Sequence, residues 1–391
     1  MAERARDNSF KVMQSNNLEE VYHAILDRHP ISRIEISSHT GLNKMTVTNC
    51  VKKLLDAEIV CEIEQGESEM GRPPILLELN SRLGVLIGVE INILSCKILV
   101  AELGGAILEK HVDIESAVHP EKFVENLSKF VRGCQQRYGN KKLGVIGMGI
   151  ALPGNYNYQT GVVEYISNMQ VLNGFNLRQA FQTAIPDVLV LCQNAGRAGA
   201  KGEIHFGKSD INEQLAYIHG AMGLALSIYT EGGIHVGDRG FQGRFGHMVI
   251  ELNGRKCICG NQGCLEMYAS VGALGKALYP GQTIDYSIVM EMMKRKAAHD
   301  PVIEQEIQSL IRYLAVGIAN IVNCFNPKRV CIGGYLGMLL KDNEEDLNQQ
   351  VNQMLLKHFR DISKIFCSGL DEWGAALGCL TTIRERLIKD S

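Results

Sequence analysis

The sequence lacks a strong net charge, a membrane-spanning apolar run and a P-loop. Its formal net charge of -3 excludes a generally basic coat for nucleic acid, although a local basic patch is compatible with it. No apolar run is long enough to cross a bilayer, so we expect no membrane insertion. The pattern G-x-x-x-x-G-K-[ST] does not occur, which excludes a P-loop nucleotide site.

Secretion and a disulfide scaffold are also disfavoured, although the chain has 12 cysteines. These cysteines are spread through 391 residues, and the polar, charged start MAERARDNSFKVMQ has no features of a secretory signal. We therefore expect reduced, mostly buried thiols and a cytoplasmic protein. Hydrophobic residues make up 46% and charged residues 21%, as in globular proteins, and the length predicts two or three domains.

The strongest local signal is a cysteine-rich loop over residues 247–266. It contains four side chains that can bind a metal: His247, Cys257, Cys259 and Cys264. A Cys₃His set is a complete tetrahedral shell for Zn²⁺, so we expect one structural zinc ion per chain with no open position for water. The alternative is three buried or redox-active thiols beside an unrelated histidine. Glycines and Asn261 between the cysteines make a poor core strand, so the spacing favours zinc.

Residues 1–80 have the pattern of a winged helix-turn-helix DNA-binding domain. Apolar residues recur at helical spacing from Lys11 to Arg28, before a proline. Ser32 is placed to cap a second helix, with Glu35 at the capping-box position. A turn at Gly41 then leads into a third helix over residues 44–57.

Polar side chains near the start of the third helix can reach base edges or phosphates. They are Asn43, Lys44, Thr46, Thr48 and Asn49. Two predicted strands, residues 59–64 and 75–79, enclose a wing-like loop in which Arg72, extended by the prolines after it, can enter a minor groove. The alternative is a helical bundle for protein contact whose polar residues are merely solvated. Since one such unit binds weakly, we expect a dimer on a palindromic double-stranded operator.

The remainder, residues 81–391, has the pattern of an α/β protein with two similar halves and a cleft between them. A predicted three-stranded meander over residues 84–113 is followed by an amphipathic helix from Pro120 and a buried strand over 143–152. Strands recur over 215–229, and a long helix over 302–325 precedes a strand that ends in Gly333-Gly334. Glycines after strands can approach phosphate, but they are equally ordinary turn formers.

The motif Cys257-x-Cys259-Gly260-x-x-Gly263-Cys264-Leu265-Glu266, preceded by Gly246-His247, resembles the signature of the ROK family of repressors, open reading frames and kinases. Agreement extends along essentially the whole chain and is greatest with the xylose-repressor branch. The resemblance implies a winged helix-turn-helix followed by a two-lobed, actin-like (ribonuclease-H-like) ATPase or sugar-kinase fold. It implies an operator-binding repressor of carbohydrate genes, and it supports zinc on the four ligands.

Departures from the family's kinase motifs exclude phosphoryl transfer as the expected activity. The D-x-G-x-T phosphate loop is matched by residues 90–94, which keep only the carboxylate of Glu90. The second loop, usually G-T-G-x-G, lacks its hydroxyl at Ala221, and the catalytic base is replaced by Ala195. Alanine cannot accept a proton, so we expect no enzyme activity.

The resemblance also marks an effector pocket. Asn168, Asn194 and Glu266 keep the family's sugar-contact identities, whereas Arg244 replaces a sugar-binding glutamate and Arg197 a neighbouring asparagine. Two guanidiniums suit a phosphate or carboxylate, so we expect an anionic sugar derivative as effector. The alternative is a decayed pocket whose arginines pair with Glu203 or Glu266 as structural ion pairs.

Three functions are compatible with these sequence features. The leading one is a transcriptional regulator, a homodimer or homotetramer in which a sugar or sugar-derived effector shifts lobe arrangement and weakens operator binding. The second is a sugar kinase with an appended DNA-binding domain. The third is a regulator whose body docks a protein partner, with no part for small molecules.

Overall fold

The computed structural model describes residues 16–64, 74–113, 119–230, 232–238 and 240–388. These residues form an N-terminal part, here called the head (residues 16–79), and a two-lobed body. The head consists of three helices and three short strands, in the order α1 Asn16–Arg28, β1 Ile31–Ser32, α2 Arg33–Thr40, α3 Lys44–Asp56, β2 Val60–Glu64 and β3 Ile75–Leu79.

Local sequence signals explain the helices of the head. The Ser32 side chain accepts a hydrogen bond from the Glu35 amide, and the Glu35 carboxylate accepts one from the Ser32 amide, so the predicted capping box is formed. Gly41 ends α2 in the left-handed conformation with φ 70°, which glycine adopts without strain. The strands β2 and β3 pair antiparallel as predicted, whereas the pairing of β1 with β3 was not predicted, because β1 has only two residues.

Lobe I is built on a five-stranded sheet of order β10-β7-β4-β5-β6. Its strands are β4 Val85–Ile91, β5 Cys96–Glu102, β6 Ile107–Asp113, β7 Val145–Leu152 and β10 Leu189–Asn194, with a small hairpin of β8 Asn155–Tyr156 and β9 Val163–Tyr165. Its helices are α4 Pro120–Arg137, α5 Leu177–Ala184, α6 Ala195–Phe206 and, from the end of the chain, α13 Gly374–Arg386.

Lobe II contains a second five-stranded sheet, of order β13-β12-β11-β14-β15. The strands are β11 Leu215–Gly220, β12 Leu224–Thr230, β13 Gly233–Ile234, β14 Arg329–Gly333 and β15 Lys364–Cys367. The helices are α7 Glu266–Ala269, α8 Val271–Leu278, α9 Tyr286–Ala297, α10 Pro301–Phe325, α11 Gly334–Leu340 and α12 Glu344–Met354.

The two sheets share one topology. In each, three consecutive strands form an antiparallel meander, β4-β5-β6 or β11-β12-β13, and two later strands add in parallel on the other side. The prediction of two similar halves is therefore confirmed. Parallel strands place their carboxyl ends at one edge of a sheet, so the loops after β7 and β10 lie together and face the cleft between the lobes.

The head and lobe I share one hydrophobic cluster. Leu18 and Ile25 of α1 belong to the same buried cluster as Leu380 and Ile383 of α13, and Leu99 of β5 also joins it. Burial of apolar surface on both sides therefore holds the head against the body.

One described helix, α10, is long and apolar enough to span a membrane by length and composition alone. Its most apolar window is 56% buried, and residues such as Ile307, Ile311 and Leu314 lie in the hydrophobic cluster of lobe II. These contacts are those of a core helix.

Candidate functional site

A cavity of about 600 Å³ lies between the two lobes. Lobe I contributes the ends of β7 and β10, and lobe II contributes the turn after β11 and the cysteine-rich loop. All five residues predicted to bind an effector line this cavity: Asn168, Asn194, Arg197, Arg244 and Glu266. A volume of this size is typical of small-molecule sites.

Asn194 is positioned by the start of α6. Its side-chain oxygen accepts hydrogen bonds from the amides of Gly196 (3.0 Å) and Arg197 (3.3 Å), which caps the helix. Its side-chain nitrogen donates to the carbonyl of Gly154 at 2.8 Å. The N-terminus of α6, with the positive end of its dipole, therefore faces the cavity at the end of β10.

Arg197 is 7% exposed and donates its hydrogen bonds to lobe II and to a neighbouring loop. Its Nη2 lies 2.6 Å from the carbonyl oxygen of Gly240 and 3.4 Å from that of Val236, and its Nη1 lies 3.4 Å from the Tyr158 hydroxyl. All three acceptors are neutral, so the positive charge of the guanidinium is not neutralised by these contacts.

Arg244 lies just before the short 3₁₀ turn Phe245–His247 and donates to the side-chain oxygen of Asn155. Partial burial and, second, the charge of nearby Arg197 lower the pKa of its guanidinium.

The ion pairs of the alternative prediction, between the two arginines and Glu203 or Glu266, are not formed among the described residues. Glu203 is fully buried and accepts hydrogen bonds from Ser368 Oγ (2.6 Å) and the Lys208 amide (2.8 Å). Glu266 lies 3.4 Å from His247 Nδ1 instead. Within the described part of the chain, neither arginine forms an ion pair with a carboxylate.

The cavity wall carries more basic than acidic side chains. The basic ones are Arg197, Arg244, Arg255, Lys256 and Lys276, and the described acidic ones are Glu90 and Glu266. Focused positive potential in a cleft concentrates anionic ligands. Arg255, Lys256 and Lys276 were not predicted, because no local pattern distinguishes them from surface cations.

The four predicted metal ligands converge beside the cavity. The ligand atoms of His247, Cys257, Cys259 and Cys264 all lie within 4.8 Å of one another, with Cys257 Sγ 3.7 Å from His247 Nδ1 and Cys259 Sγ 3.6 Å from Cys264 Sγ. Ligands of a tetrahedral ion at bond lengths of about 2.0–2.3 Å are separated by roughly 3.3–3.8 Å. The side chains therefore fit one metal ion.

Glu266 connects the ligand cluster with the cavity. Its Oε1 lies 3.2 Å from Cys257 Sγ and 3.4 Å from His247 Nδ1, and the residue also lines the cavity. Residues Lys256 and Ile258, next to the cysteines, line the cavity as well. The conformation of the cysteine-rich loop therefore shapes one wall of the cavity.

At the base of the cleft, a buried ion pair of lobe I contacts a histidine of lobe II. Lys97 Nζ of lobe I lies 3.3 Å from Glu90 Oε2, and His219 Nε2 of lobe II lies 3.2 Å from Glu90 Oε1. Lys97 also donates to the carbonyl of Glu372 at 3.0 Å and lies 4.4 Å from the ring centroid of Tyr335. Burial opposes ionisation of Glu90, but Lys97 and His219 outweigh it and lower the Glu90 pKa to about 2. We call the side chains of Glu90, Lys97 and His219 the clasp.

The predicted DNA-contacting residues of the head lie around the start of α3. Lys44, Thr48 and Asn49 are exposed, and Thr46 is half-buried. Asn43 is exposed and caps α3, because its side-chain oxygen accepts from the Thr46 amide at 2.9 Å. Arg72 lies outside the described residues.

One exposed residue of α3 was missed. Met45 is 70% exposed at the first turn, where a large apolar side chain has no packing role. Apolar side chains at such positions can contact thymine methyl groups.

Comparison with known proteins places the chain in a family. It matches the ROK family over residues 86–386. It is 30% identical over 370 residues to a xylose repressor of Bacillus spizizenii, covering 93% of this chain and 94% of that protein. It is 25% identical over 398 residues to the DNA-binding transcriptional dual regulator NagC of Escherichia coli, covering 98% and 96%. The chain belongs to the ROK family.

Solved structures agree with this assignment. The crystal structure of a ROK family transcriptional regulator, a homolog of the E. coli MLC protein, has a TM-score of 0.73 at 27% identity and covers 95% of this chain and 97% of its own. A ROK glucokinase from Streptomyces griseus has a TM-score of 0.66 at 21% identity, covering 76% of this chain and 99% of its own, which shows the fold alone. The predicted family and the actin-like, sugar-kinase-type fold are confirmed.

Proposed function

We propose that the protein is a DNA-binding transcriptional repressor of carbohydrate genes, controlled by an anionic sugar derivative in the cleft between its lobes. The observation that carries this proposal is the pair Arg197 and Arg244, which line the cavity between the lobes and contact neutral acceptors, with no carboxylate partner in the described part of the chain. The same chain carries a head of helix-turn-helix form. The similarity to a xylose repressor and to a transcriptional dual regulator supports the regulatory half of the proposal.

We assign residues 1–80 to a winged helix-turn-helix domain and residues 81–391 to the effector-binding and oligomerisation body. Three features support the head assignment: α2 and α3 joined by a tight turn at Gly41, the exposed polar start of α3, and the β2–β3 hairpin after it. The exposed side chains of Lys44 and Thr48 are proposed to contact phosphates or base edges. A homodimer or homotetramer would present paired heads to a palindromic operator in the cytoplasm.

The body is proposed to bind ligand without turning it over. Ala195 occupies the position of the kinase base, and the cavity's described carboxylates have other partners, since Glu90 is held by the clasp and Glu266 faces the metal ligands. A general base must be free to take the proton from the sugar hydroxyl. A kinase with an appended head is therefore disfavoured.

The metal proposed for the Cys₃His cluster is one structural Zn²⁺ per chain. Three thiols and one imidazole match the ligand preference of zinc, and four protein ligands leave no position for substrate. His247, Cys257, Cys259 and Cys264 would hold the ion, which would stabilise the loop that forms one wall of the cavity.

The effector class can be tested by isothermal calorimetry on the full chain against glucose, xylose, their phosphates and the corresponding sugar acids. We expect the anionic compounds to bind and Arg244→Glu to abolish that binding through repulsion. Arg132→Glu, on the exposed face of α4, is the matched control and should leave affinity unchanged. Selective binding of a neutral sugar would refute the anionic effector, and failure to enrich any sequence from random duplex DNA would refute DNA recognition.

A further inference from the structure

Helix α6 runs from the effector cavity to the head. Its first residues, Ala195 to Arg197, line the cavity. Of its last residues, His205 lies beside Asp27 of the head and Phe206 beside Arg384 of α13. Twelve residues of α-helix span about 18 Å. Nine of them are buried, so α6 lies inside the body along most of its length.

At the cavity end, Arg197 connects α6 to a loop of lobe II. Its guanidinium donates to the carbonyl oxygens of Gly240 (2.6 Å) and Val236 (3.4 Å). Neutral carbonyls are weaker partners for a guanidinium than a phosphate or carboxylate is. An anionic group entering the cavity would therefore compete with these carbonyls for Arg197.

Along its length, α6 packs backbone to backbone against α13. A β-carbon on Gly378 would lie 1.7 Å from the carbonyl oxygen of Ala198, and one on Gly202 would lie 2.1 Å from that of Gly374. No side chain separates the helices at these points, so side-chain repacking cannot absorb a displacement of α6. Lys201 also donates to Glu385 of α13. A shift of α6 must therefore move α13.

At the far end, both helices contact α1 of the head. His205 Nδ1 lies 3.8 Å from Asp27 Oδ1, and the Tyr22 hydroxyl donates to the carbonyl of Arg384 at 2.8 Å. The Arg384 guanidinium lies 5.1 Å from the ring centroid of Phe206, so it joins the ends of α6 and α13. The Tyr22–Arg384 hydrogen bond is buried, and His205 and Asp27 are partly buried, so the head contacts the ends of both helices directly.

We propose that α6, together with α13, transmits occupancy of the cavity to the head, and that Arg197 is the residue that senses the ligand. An anionic effector takes the guanidinium from Gly240 and Val236, α6 moves with it, and the contacts of α1 with His205 and Arg384 change. The inference rests on the proposed function in that it assumes an anionic effector and a DNA-binding head. Arg197 and Asp27 act as positioning residues at the two ends of one element.

The test is a double-mutant cycle on the full chain with Arg197→Ala at one end and Asp27→Ala at the other. Affinity is measured for a duplex that the wild-type protein enriches from random DNA. Residues this far apart normally act independently, so their effects on affinity multiply to within about twofold. Coupling through α6 predicts that the effect of the double variant on DNA affinity differs from the product of the two single-variant effects by at least about fivefold. If the effect of the double variant lies within twofold of that product, the inference is overturned, while the proposal of DNA recognition stands.

A second measurement needs no DNA. Hydrogen exchange followed by mass spectrometry on Arg197→Ala should show faster exchange in α1 and in the last turn of α13, with α3 unchanged because the head stays folded. Arg132→Ala is the matched control: its guanidinium also donates to a main-chain carbonyl, that of Ala184, but lies away from α6. Exchange in α1 equal to wild type, or equal acceleration in the control, overturns the inference.

Discussion

Replacing Lys97 by methionine should destabilise the body by leaving a charge buried without its main partner. The side chains of Lys97 and Glu90 are each 2% exposed, and Glu90 would retain His219 at 3.2 Å and the Asn92 side-chain amide at 3.5 Å, neither of which carries the fixed positive charge of Lys97. Breaking a buried pair in this way costs about 3–5 kcal/mol, because the remaining carboxylate is held out of water. At roughly 1–2 °C per kcal/mol for a chain of this length, we expect the melting temperature to fall by roughly 3–10 °C.

The assay is scanning calorimetry at pH 7.5 on the wild type and three variants. Lys110→Met, on exposed β6, makes the same change at a surface cation over Trp373 and should cost about 1 kcal/mol or less. The double variant Lys97→Met with Glu90→Leu removes both charges and should recover most of the loss. This pattern identifies the unpaired carboxylate, and not the lost lysine stem, as the cause.

The stabilising effect of the Lys97–Glu90 pair should decrease at low pH. The Glu90 pKa is lowered from 4.5 to about 2, so the stabilising effect of ionised Glu90 is complete above pH 4.5 and is lost as the pH falls towards 2. The gap between wild type and Lys97→Met should therefore narrow over that interval. A melting temperature for Lys97→Met within about 2 °C of the wild type at pH 7.5 would refute the reasoning.

Three further outcomes are expected. Ala195→Asp should give no sugar-dependent ADP release in a coupled assay. A restored base does not restore the phosphate loops, and Glu90 stays in the clasp. Any turnover would contradict a non-catalytic body. Cys259→Ser should lower zinc below one ion per chain in native mass spectrometry and weaken effector binding; equimolar zinc with unchanged binding would exclude the cluster as a structural site. Asp27→Asn should flatten the stability profile between about pH 4 and 7. Burial first, then a neighbouring carboxylate, raise the pKa of Asp27 to about 7, so its stabilising effect is complete below pH 3.8, falls over this interval and is lost once the pH rises through 7. Melting temperatures with the wild-type slope would contradict this.

Elements whose signals are local were predictable from the sequence. The capping box of Ser32 and Glu35 involves residues three apart, and the predicted strands and long helices follow from the spacing of apolar residues. The metal ligands were also predictable, because three of them lie within eight residues of one loop. Such patterns depend on neighbours along the chain, so no knowledge of the fold is needed to recognise them.

The family motifs also predicted which residues would line the cavity, but not what those residues contact. Arg197 was expected to face a ligand or a carboxylate, whereas its partners are carbonyl oxygens about 40 residues away, at Val236 and Gly240. Main-chain carbonyls have no sequence signature, since every residue carries one. The partner of a cation in a cleft therefore cannot be read from residue types.

Local sequence patterns were sufficient to predict the local elements and the four side chains that converge as a possible metal site, whereas the assignment of Ala195 to the position of the kinase base rests on the family resemblance. Only the assembled fold brings Glu90 and Lys97 together with His219 in the clasp, places Lys97 beside the Glu372 carbonyl 275 positions later, and packs α6 closely against α13. These contacts depend on two lobes and the end of the chain being brought together. Burial shifts the pKa values of charged side chains, and close packing transmits displacements between helices. Both depend on the assembled fold and not on neighbours along the chain.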